Sequence, residues 1–263
     1  GTITETGGGT ASLGGGWVNN NTLGVSGGST LNLWGSGTWA ATATALTTDA
    51  SSQVQFYGSI SNPATLALSG GATYLWQGAS LFGGTVTLSD GAVLTVTTAG
   101  GLFNDVTLNG DLNMASALPG IRVLTIVNGL TLNGTATLGG YDYSYLNMLG
   151  NSTLDGTGDI VLGPDSRNAV RSADHNTTLT IGAGITIHIQ NGGGVGYNPG
   201  LGGTAGITVI NNGTITADTA GGNVELRADF GWLNNGVIEA VNGASLSISG
   251  PGTNNGTMTA SGG

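Results

Sequence analysis

The sequence has no cysteine and no lysine, and charged side chains of either sign are scarce. Without cysteine there are no disulfides, no thiol catalysis and no Cys-based metal sites. Four arginines stand against 14 acidic residues, so the formal net charge is -10. A nucleic-acid-binding protein needs a basic stripe, so we expect no nucleic-acid partner.

Long apolar runs are missing as well. No run of about 18 apolar residues occurs, so we expect no membrane-spanning segment. Charged residues make up 7% of the chain and hydrophobic residues 38%. Disordered chains show the opposite balance, so we expect an ordered fold. Glycine contributes 52 of 263 residues but follows no every-third-residue period, which excludes a collagen helix.

A short motif, a small residue followed by alternating apolar residues, recurs about every 21 positions. The clearest copies begin at Gly28, Ala50, Gly71 and Gly91, and weaker copies begin at Gly110, Gly129, Gly222 and Gly243. A fixed period in this range is typical of a solenoid, in which each repeat is one coil stacked on the last. The sequence therefore predicts an all-β protein, one parallel β-solenoid over residues 1–263 with about 20–23 residues per coil.

The alternation within each copy also predicts which side chains lie inside. Successive side chains of a strand point to opposite faces, so the apolar residues of one copy share the interior. The predicted interior residues are Leu31, Leu33, Val54, Phe56, Leu94, Val96, Ile215, Ala217, Leu246 and Ile248. By the same rule Thr30, Asn32, Thr214 and Thr216 should face solvent.

Pairs of asparagine form a second recurring feature. They stand at Asn19-Asn20, Asn211-Asn212, Asn234-Asn235 and Asn254-Asn255. Asparagine tolerates the left-handed backbone region that turns require, and its amide can bond an identical amide one coil away. We therefore interpret these pairs as turn residues that form a ladder along the solenoid.

The two ends of the sequence resemble each other. Residues 17–45 match residues 232–260 at a constant offset of 215, with Trp17 aligned to Trp232 and Gly37 aligned to Gly252. This match predicts one unit of a longer tandem array, or a rod that associates head to tail with other copies. The absence of obvious polar end caps favours the same interpretation. The alternative is that low-complexity coils resemble one another without any larger repeat.

Residues 139–206 interrupt the pattern and form the best candidate site. Insertions in solenoids project as loops, often on a binding face, and 192–200 has the composition of such a loop. The candidate glycan- or partner-binding residues are Tyr141, Tyr143, Tyr145, Asp155, Asp165, Arg167, Arg171, Asp174, His175 and Tyr197. Tyrosine rings stack on sugars and carboxylates bond their hydroxyls. The alternative is a solvated loop in which arginine and aspartate pair locally.

Catalysis and metal binding find less support in the sequence. Polysaccharide-cleaving β-helices need clustered carboxylates or a basic residue, whereas glycines separate Asp155 from Asp159. His175 and His188 lack the spacing of zinc ligands. We therefore expect no cofactor, no metal and no catalytic residue, and we keep a polysaccharide lyase or glycoside hydrolase as the alternative.

Outward Thr-x-Thr pairs on stacked coils also raise an ice-binding surface as a hypothesis. Such a surface needs threonine on consecutive coils. Between Thr214/Thr216 and Thr257/Thr259 the spacing places Val237 and Glu239 at the outward positions. The charge of Glu239 should interrupt a flat threonine array.

The phrases NNGTI at 211–215 and NGLTLNG at 128–134, together with the alternation and the composition, carry a family resemblance. The chain resembles the passenger regions of bacterial autotransporters and filamentous-haemagglutinin-like adhesins. This resemblance implies a right-handed parallel β-helix, an extracellular or bacterial cell-surface location, and a role in adhesion or fibre building. It supplies no catalytic residue. The alternative is a carbohydrate-binding or polysaccharide-degrading β-helix that uses the 141–197 region.

Overall fold

The computed structural model describes residues 3–40, 46–115, 117–196 and 205–262. Within these ranges the chain is all-β and forms a parallel β-solenoid of about 11 turns, as predicted. No helix in the described part of the chain is long and apolar enough to cross a membrane.

The strands are short and are numbered in chain order. The first group is β1 (Ile3–Glu5), β2 (Thr10–Leu13), β3 (Gly16–Asn19), β4 (Leu23–Val25), β5 (Thr30–Leu33), β6 (Ser36–Trp39), β7 (Gln53–Phe56) and β8 (Ser59–Ser61). Next come β9 (Thr65–Leu68), β10 (Thr73–Trp76), β11 (Ser80–Phe82), β12 (Thr85–Leu88), β13 (Val93–Val96), β14 (Gly101–Asn109), β15 (Asp111–Met114) and β16 (Arg122–Asn133).

The second half continues the same pattern. Its first strands are β17 (Thr135–Leu138), β18 (Ser144–Leu149), β19 (Ser152–Gly156), β20 (Asp159–Leu162), β21 (Ala169–Ser172), β22 (Thr177–Ile181), β23 (Thr186–Ile189) and β24 (Gly194–Gly196). Its last strands are β25 (Ile207–Asn211), β26 (Thr214–Ala217), β27 (Asn223–Arg227), β28 (Gly231–Asn234), β29 (Val237–Ala240), β30 (Ser245–Ser249), β31 (Gly252–Asn254) and β32 (Thr257–Ala260).

Three strand positions per coil give the solenoid three faces. The first face is a 12-stranded parallel sheet that runs from β2 to β32. Each second-face strand comes directly after a first-face strand in the sequence, and this face includes β3, β8, β18, β24 and β30. The third face includes β9, β19, β25 and β31. The long strands β14 and β16 bend at a corner and contribute to both of these faces.

Apolar side chains fill the centre of this column. Leu31 pairs with Val54, which pairs with Tyr74 and then with Leu94, and all four side chains are buried. Most of the predicted interior is confirmed: Leu31, Leu33, Val54, Phe56, Leu94, Val96, Ile215 and Ala217 are at most 1% exposed. Leu246 and Ile248 also pack against the core but are only partly buried. Full burial of one such side chain stabilises the fold by about 1.5–3 kcal/mol.

The coil length varies more than the sequence pattern predicts. Partners on the first face are 20 residues apart at Thr10 and Thr30, but 28 apart at Thr186 and Thr214. The extra residues of this longer coil fall in the sequence between β24 of the second face and β25 of the third face. The range of about 20–23 was therefore too narrow for the coils within residues 139–206.

Asparagine ladders form as predicted at the later pairs. Asn211 donates through its Nδ2 to Oδ1 of Asn234 at 2.8 Å, and Asn234 donates to Oδ1 of Asn254 at 2.7 Å. A second, exposed ladder joins Asn212, Asn235 and Asn255. The prediction that these pairs adopt the left-handed backbone conformation is wrong, because none of the eight asparagines has a positive φ. The amides of Asn211, Asn234 and Asn254 cap backbone carbonyls instead, as Asn211 does with Gly213 and Val237. Asn19 does not join this ladder, because Trp39 faces it in the next coil.

The outward positions of strands β26, β29 and β32 follow the predicted register. Thr214 and Thr216 pair with Val237 and Glu239, which in turn pair with Thr257 and Thr259. Glu239 therefore interrupts the threonine array as expected. The prediction that Thr216 faces solvent is wrong in one respect: its side chain is 5% exposed, because it lies in the ladder between His188 and Glu239.

The matched ends of the sequence are also matched in structure. Strands β1–β6 correspond one to one, in order, with β26–β31. A Cβ added at Gly37 would lie 2.0 Å from the ring of Trp17, and one at Gly252 would lie 2.1 Å from the ring of Trp232. Both indoles thus rest on a glycine of the next coil. The two blocks nevertheless differ by one face: β3 lies on the second face, whereas β28 lies on the third.

Candidate functional site

The structure gathers several predicted site residues on the second face, at strand β18. Residues alternate there, so Tyr143 and Tyr145 point outward while Ser144 and Leu146 point inward and are buried. The two tyrosine rings lie 6.1 Å apart at 20° and are half-buried. We call these two residues, with Arg167, Arg171, Asp142 and Asp165, the tyrosine–arginine cluster.

Each tyrosine ring carries an arginine from the following coil. The guanidinium carbon of Arg167 lies 4.2 Å from the ring centroid of Tyr143, and that of Arg171 lies 3.8 Å from the ring of Tyr145. The pairing of β18 with β21 sets this arrangement, since Asn147 faces Arg171 across the ladder and accepts its Nε–H at 2.9 Å. Such contacts stabilise by about 0.5–1 kcal/mol when exposed and by about 2 when desolvated.

Two carboxylates hold the exposed arginine in place. Arg167 donates from Nε to Asp165 Oδ1 at 2.9 Å, and its Nη2 lies 3.4 Å from Asp142 Oδ1. The hydrogen bonds from Arg167 lower the pKa of Asp165 below its usual range and raise the pKa of Arg167. The Arg167 side chain is still 51% exposed, so an anionic ligand can reach it.

Burial distinguishes the other two arginines of this region. Desolvation lowers the pKa of Arg171, and the neighbouring Tyr145 and Tyr143 oppose that effect. Desolvation likewise lowers the pKa of Arg122, which Asp142 opposes. Arginine remains charged in proteins at neutral pH. Two of the four arginines of a strongly acidic chain therefore pack on the two tyrosine rings, and the exposed Arg167 suits an acidic group on a ligand with an apolar face.

Other predicted site residues lie elsewhere. Asp155 is on β19, on the third face, and its carboxylate lies against Gly182 of the next coil. Asp159 begins β20 on the first face. The two aspartates therefore lie on different strands, as the intervening glycines indicated. Asp155 borders a hollow of about 290 Å³ that Asp105, Thr131 and Thr153 also line.

Asp174 and His175 follow β21 at the corner between the second and third faces. Asp174 accepts the backbone N–H of Gly150 at 2.9 Å, and a ring nitrogen of His175 lies 2.8 Å from the carbonyl of Ala205. Tyr141 is 66% exposed, apart from the two stacked tyrosines. The predicted Tyr197 lies outside the described residues. Residues 194–196, expected to belong to a projecting loop, form strand β24 and are buried.

Sequence reasoning missed three features that coil spacing could have revealed. Asp142 lies 25 residues before Arg167, about one coil away. His188 contacts Asp159 at 3.5 Å and Asp218 at 3.3 Å, one coil to either side on the first face. Trp34 stacks on Tyr57 in the next coil at 3.8 Å. Each partner lies within two residues of the position that the aligned strands place one coil away.

Metal binding gains no support from the geometry. No group of three or more histidine, aspartate or glutamate side chains in the described part of the chain is arranged to hold a metal ion.

Fold and surface together define the class: a three-faced parallel β-solenoid repeat protein with a tyrosine–arginine cluster on one face. No protein-family model, no curated protein and no solved structure matches the chain.

Proposed function

We propose that this protein is a non-enzymatic structural and adhesive segment of an extracellular bacterial surface or fibre-forming protein. The observation that carries the proposal is the unbroken ladder of the first face, in which 12 parallel strands are hydrogen-bonded in series along the solenoid axis. Tension along this axis is shared by backbone hydrogen bonds on three faces and by a continuous apolar centre. That construction suits a rod that presents groups at fixed heights.

The bacterial surface location rests on the sequence. The alternating repeats, the NNGTI and NGLTLNG phrases, and the lack of lysine and cysteine resemble exported adhesins and autotransporter passengers. Short polar side chains on the outward positions of the first face, such as Thr135, Thr137 and Thr186, keep a weakly charged rod hydrated.

We further propose that the rod continues through neighbouring copies, either as covalent repeats or by head-to-tail association. The support is the one-to-one correspondence of β1–β6 with β26–β31, including the two indoles that rest on glycines. Coils that are alike can follow one another with the same ladder register.

A specific observation favours carbohydrate binding in the 141–197 region as a second function. The tyrosine–arginine cluster combines two ring faces with guanidinium groups, which suits an acidic sugar. Degradation of such a polymer is less supported, because Asp155 and Asp165 do not share a face and a two-carboxylate mechanism needs both at one bond.

A panel of acidic and neutral polysaccharides, assayed for both binding and turnover, tests these functions. We expect binding of acidic polymers without turnover, weakened at least tenfold by Tyr145→Ala. Tyr141→Ala is the matched control, because Tyr141 is an exposed tyrosine of the same region that lies outside the cluster. Turnover that disappears in Asp155→Ala or Asp165→Ala would contradict the non-enzymatic proposal and support the enzyme.

A further inference from the structure

A column of outward side chains runs along the corner between the first and second faces. It consists of the residues that directly follow the first-face strands: Gly14, Trp34, Tyr57 and Gln77 in successive coils. Backbone hydrogen bonds set this register, since the N–H of Trp34 donates to Leu13 O at 2.7 Å and that of Tyr57 donates to Leu33 O at 2.9 Å. The column lies several coils away from the tyrosine–arginine cluster.

Within this column Trp34 and Tyr57 form a flat stack. Their ring centroids are 3.8 Å apart and the ring planes differ by 1°, so one ring lies almost directly over the other. Hydrogen bonds fix the position of Tyr57. Its hydroxyl donates to Gln55 Oε1, which also accepts a hydrogen bond from Gln77 Nε2 at 2.9 Å. The indole therefore rests on a rigid base with one face covered.

The opposite face of Trp34 is open. It is directed toward the level of Gly14, one coil away, which has no side chain. A Cβ added at Gly14 would meet no atom within 4 Å, and the same holds for Gly15 and Gly16. Trp34 is accordingly 45% exposed although it is surrounded by regular coils. A flat ring placed on this face, at the spacing that Tyr57 keeps on the other, would continue the stack.

The polar groups around the stack are neutral. Asn32 lies two residues before Trp34 and donates to Ser12 of the preceding coil at 3.4 Å, and Gln53 and Gln55 follow in the next coil. Amides and hydroxyls both donate and accept hydrogen bonds, as a ligand rich in hydroxyl groups requires. This neutral surround contrasts with the arginines and aspartates of the tyrosine–arginine cluster.

We propose that the open face of Trp34 binds the ring of a neutral saccharide. The C–H face of a pyranose packs on the indole, while the ring hydroxyls bond the amides and hydroxyls beside it. Aromatic residues with a polar rim are typical of binding surfaces, and a base fixed by Tyr57 and Gln77 costs little ordering on binding. The site is independent of the tyrosine–arginine cluster and of the acidic ligand proposed there.

Calorimetric titration of the full chain with neutral oligosaccharides of glucose, mannose, galactose and N-acetylglucosamine tests this proposal. We expect at least one to bind, and Trp34→Ala to weaken that binding at least tenfold. Gly14→Leu should do the same with Trp34 intact, because Gly14 has an ordinary φ and open space in which a leucine side chain would cover the indole.

Two controls separate the site from general effects. Phe82→Ala removes an aromatic side chain of similar exposure, 43%, from the second face and should leave binding unchanged. Tyr145→Ala should also leave it unchanged, while weakening any binding of acidic polymers. The proposal is overturned if none of the four sugar types binds at millimolar concentration, or if Trp34→Ala and Gly14→Leu bind as tightly as the parent protein.

Discussion

At the scale of single residues, polar side chains stabilise this solenoid by bonding one coil to the next. Asp49 shows the principle at a corner: its carboxylate accepts the hydroxyls of Ser51 and Ser52 and, from the coil before, the backbone N–H of Gly27 at 2.7 Å. These bonds favour the charged form of the carboxyl group. The hydrogen bonds from Ser52, Gly27 and Ser51 therefore lower the pKa of Asp49 from 3.8 to about 2.

The depressed pKa of Asp49 predicts a dependence of stability on acid. Because the folded state binds this proton more weakly than the unfolded state, the contribution of Asp49 is complete above about pH 4 and is lost as the pH falls through about 2. We expect Asp49→Asn to reduce the fall in melting temperature between pH 4 and pH 2. Asp90→Asn is the control, since Asp90 contacts only the neighbouring Ser89 hydroxyl among the described hydrogen bonds. Identical pH profiles for the parent and Asp49→Asn would contradict this assignment.

The buried asparagine ladder supports a second prediction at this scale. Asn234 is fully buried and bonds Asn211, Asn254 and the carbonyl of Thr257. Replacing it with alanine leaves buried polar groups without a partner, so Asn234→Ala should lower the free energy of unfolding by about 1–3 kcal/mol. The exposed neighbour Asn235 provides the control, because water can replace its partners. Chemical denaturation that shows equal losses for Asn234→Ala and Asn235→Ala would contradict the difference in burial.

At the scale of elements, each inward side chain lies in a column that crosses several coils. On the second face Leu124, Leu146 and Val170 stack in register, and all three are buried. A cavity at one level therefore removes contacts with the coils on both sides. The damage should stay near the altered coil, because repeats contact only their neighbours.

This stacking predicts a graded response to truncation. Leu146→Ala should lower the free energy of unfolding by about 2–5 kcal/mol, the range for fully buried leucines. Leu246→Ala should cost less, since Leu246 is only partly buried in the last described coils. Hydrogen exchange should report lost protection in β16, β18 and β21 for the first variant. Uniform loss of protection along all coils would contradict a local effect.

At the scale of the whole molecule, the two matching end blocks lie one face apart around the solenoid axis. Equivalent strands shift by one face between β1–β6 and β26–β31, so the 215-residue offset does not contain a whole number of coils. If units with this offset follow one another within one chain, the tyrosine–arginine cluster of each unit faces about a third of a turn away from that of the last.

Electron microscopy tests both forms of continuation. We expect filaments of the chain at high protein concentration, and in a longer chain that joins two units at the 215-residue offset we expect the second unit to be rotated by about a third of a turn relative to the first. A gold label on the thiol introduced by Thr137→Cys can report the rotation, because the sequence has no other cysteine. Light scattering that shows a monomer at all concentrations would contradict non-covalent association, and labels aligned along one face would contradict the rotation.

Much of the fold was accessible from the sequence because a solenoid repeats a local rule. Alternation identified interior residues such as Leu31 and Ile215, and spacing alone placed Glu239 between Thr216 and Thr259. The left-handed backbone expected at the asparagine pairs was wrong, since side-chain bonding to neighbouring carbonyls, and not backbone strain, explains asparagine there. The partial burial of Leu246 depends on the side chains that neighbouring coils place against it, and a local sequence pattern carries no information about those contacts.

The sequence by itself determined how the coils stack. The repeat period determined the length of most coils, the alternation determined which side chains lie inside, and the spacing of the later asparagine pairs placed identical amides one above another. Only the tertiary structure decided which residues meet across coils of unequal length. Corner loops of different size shifted the partners of Arg167, Arg171 and His188, separated Asp155 from the tyrosines, and left the indole of Trp34 open above a glycine. Those contacts depend on the three-dimensional path of each corner, whereas the stacking depends only on a backbone geometry that every coil shares.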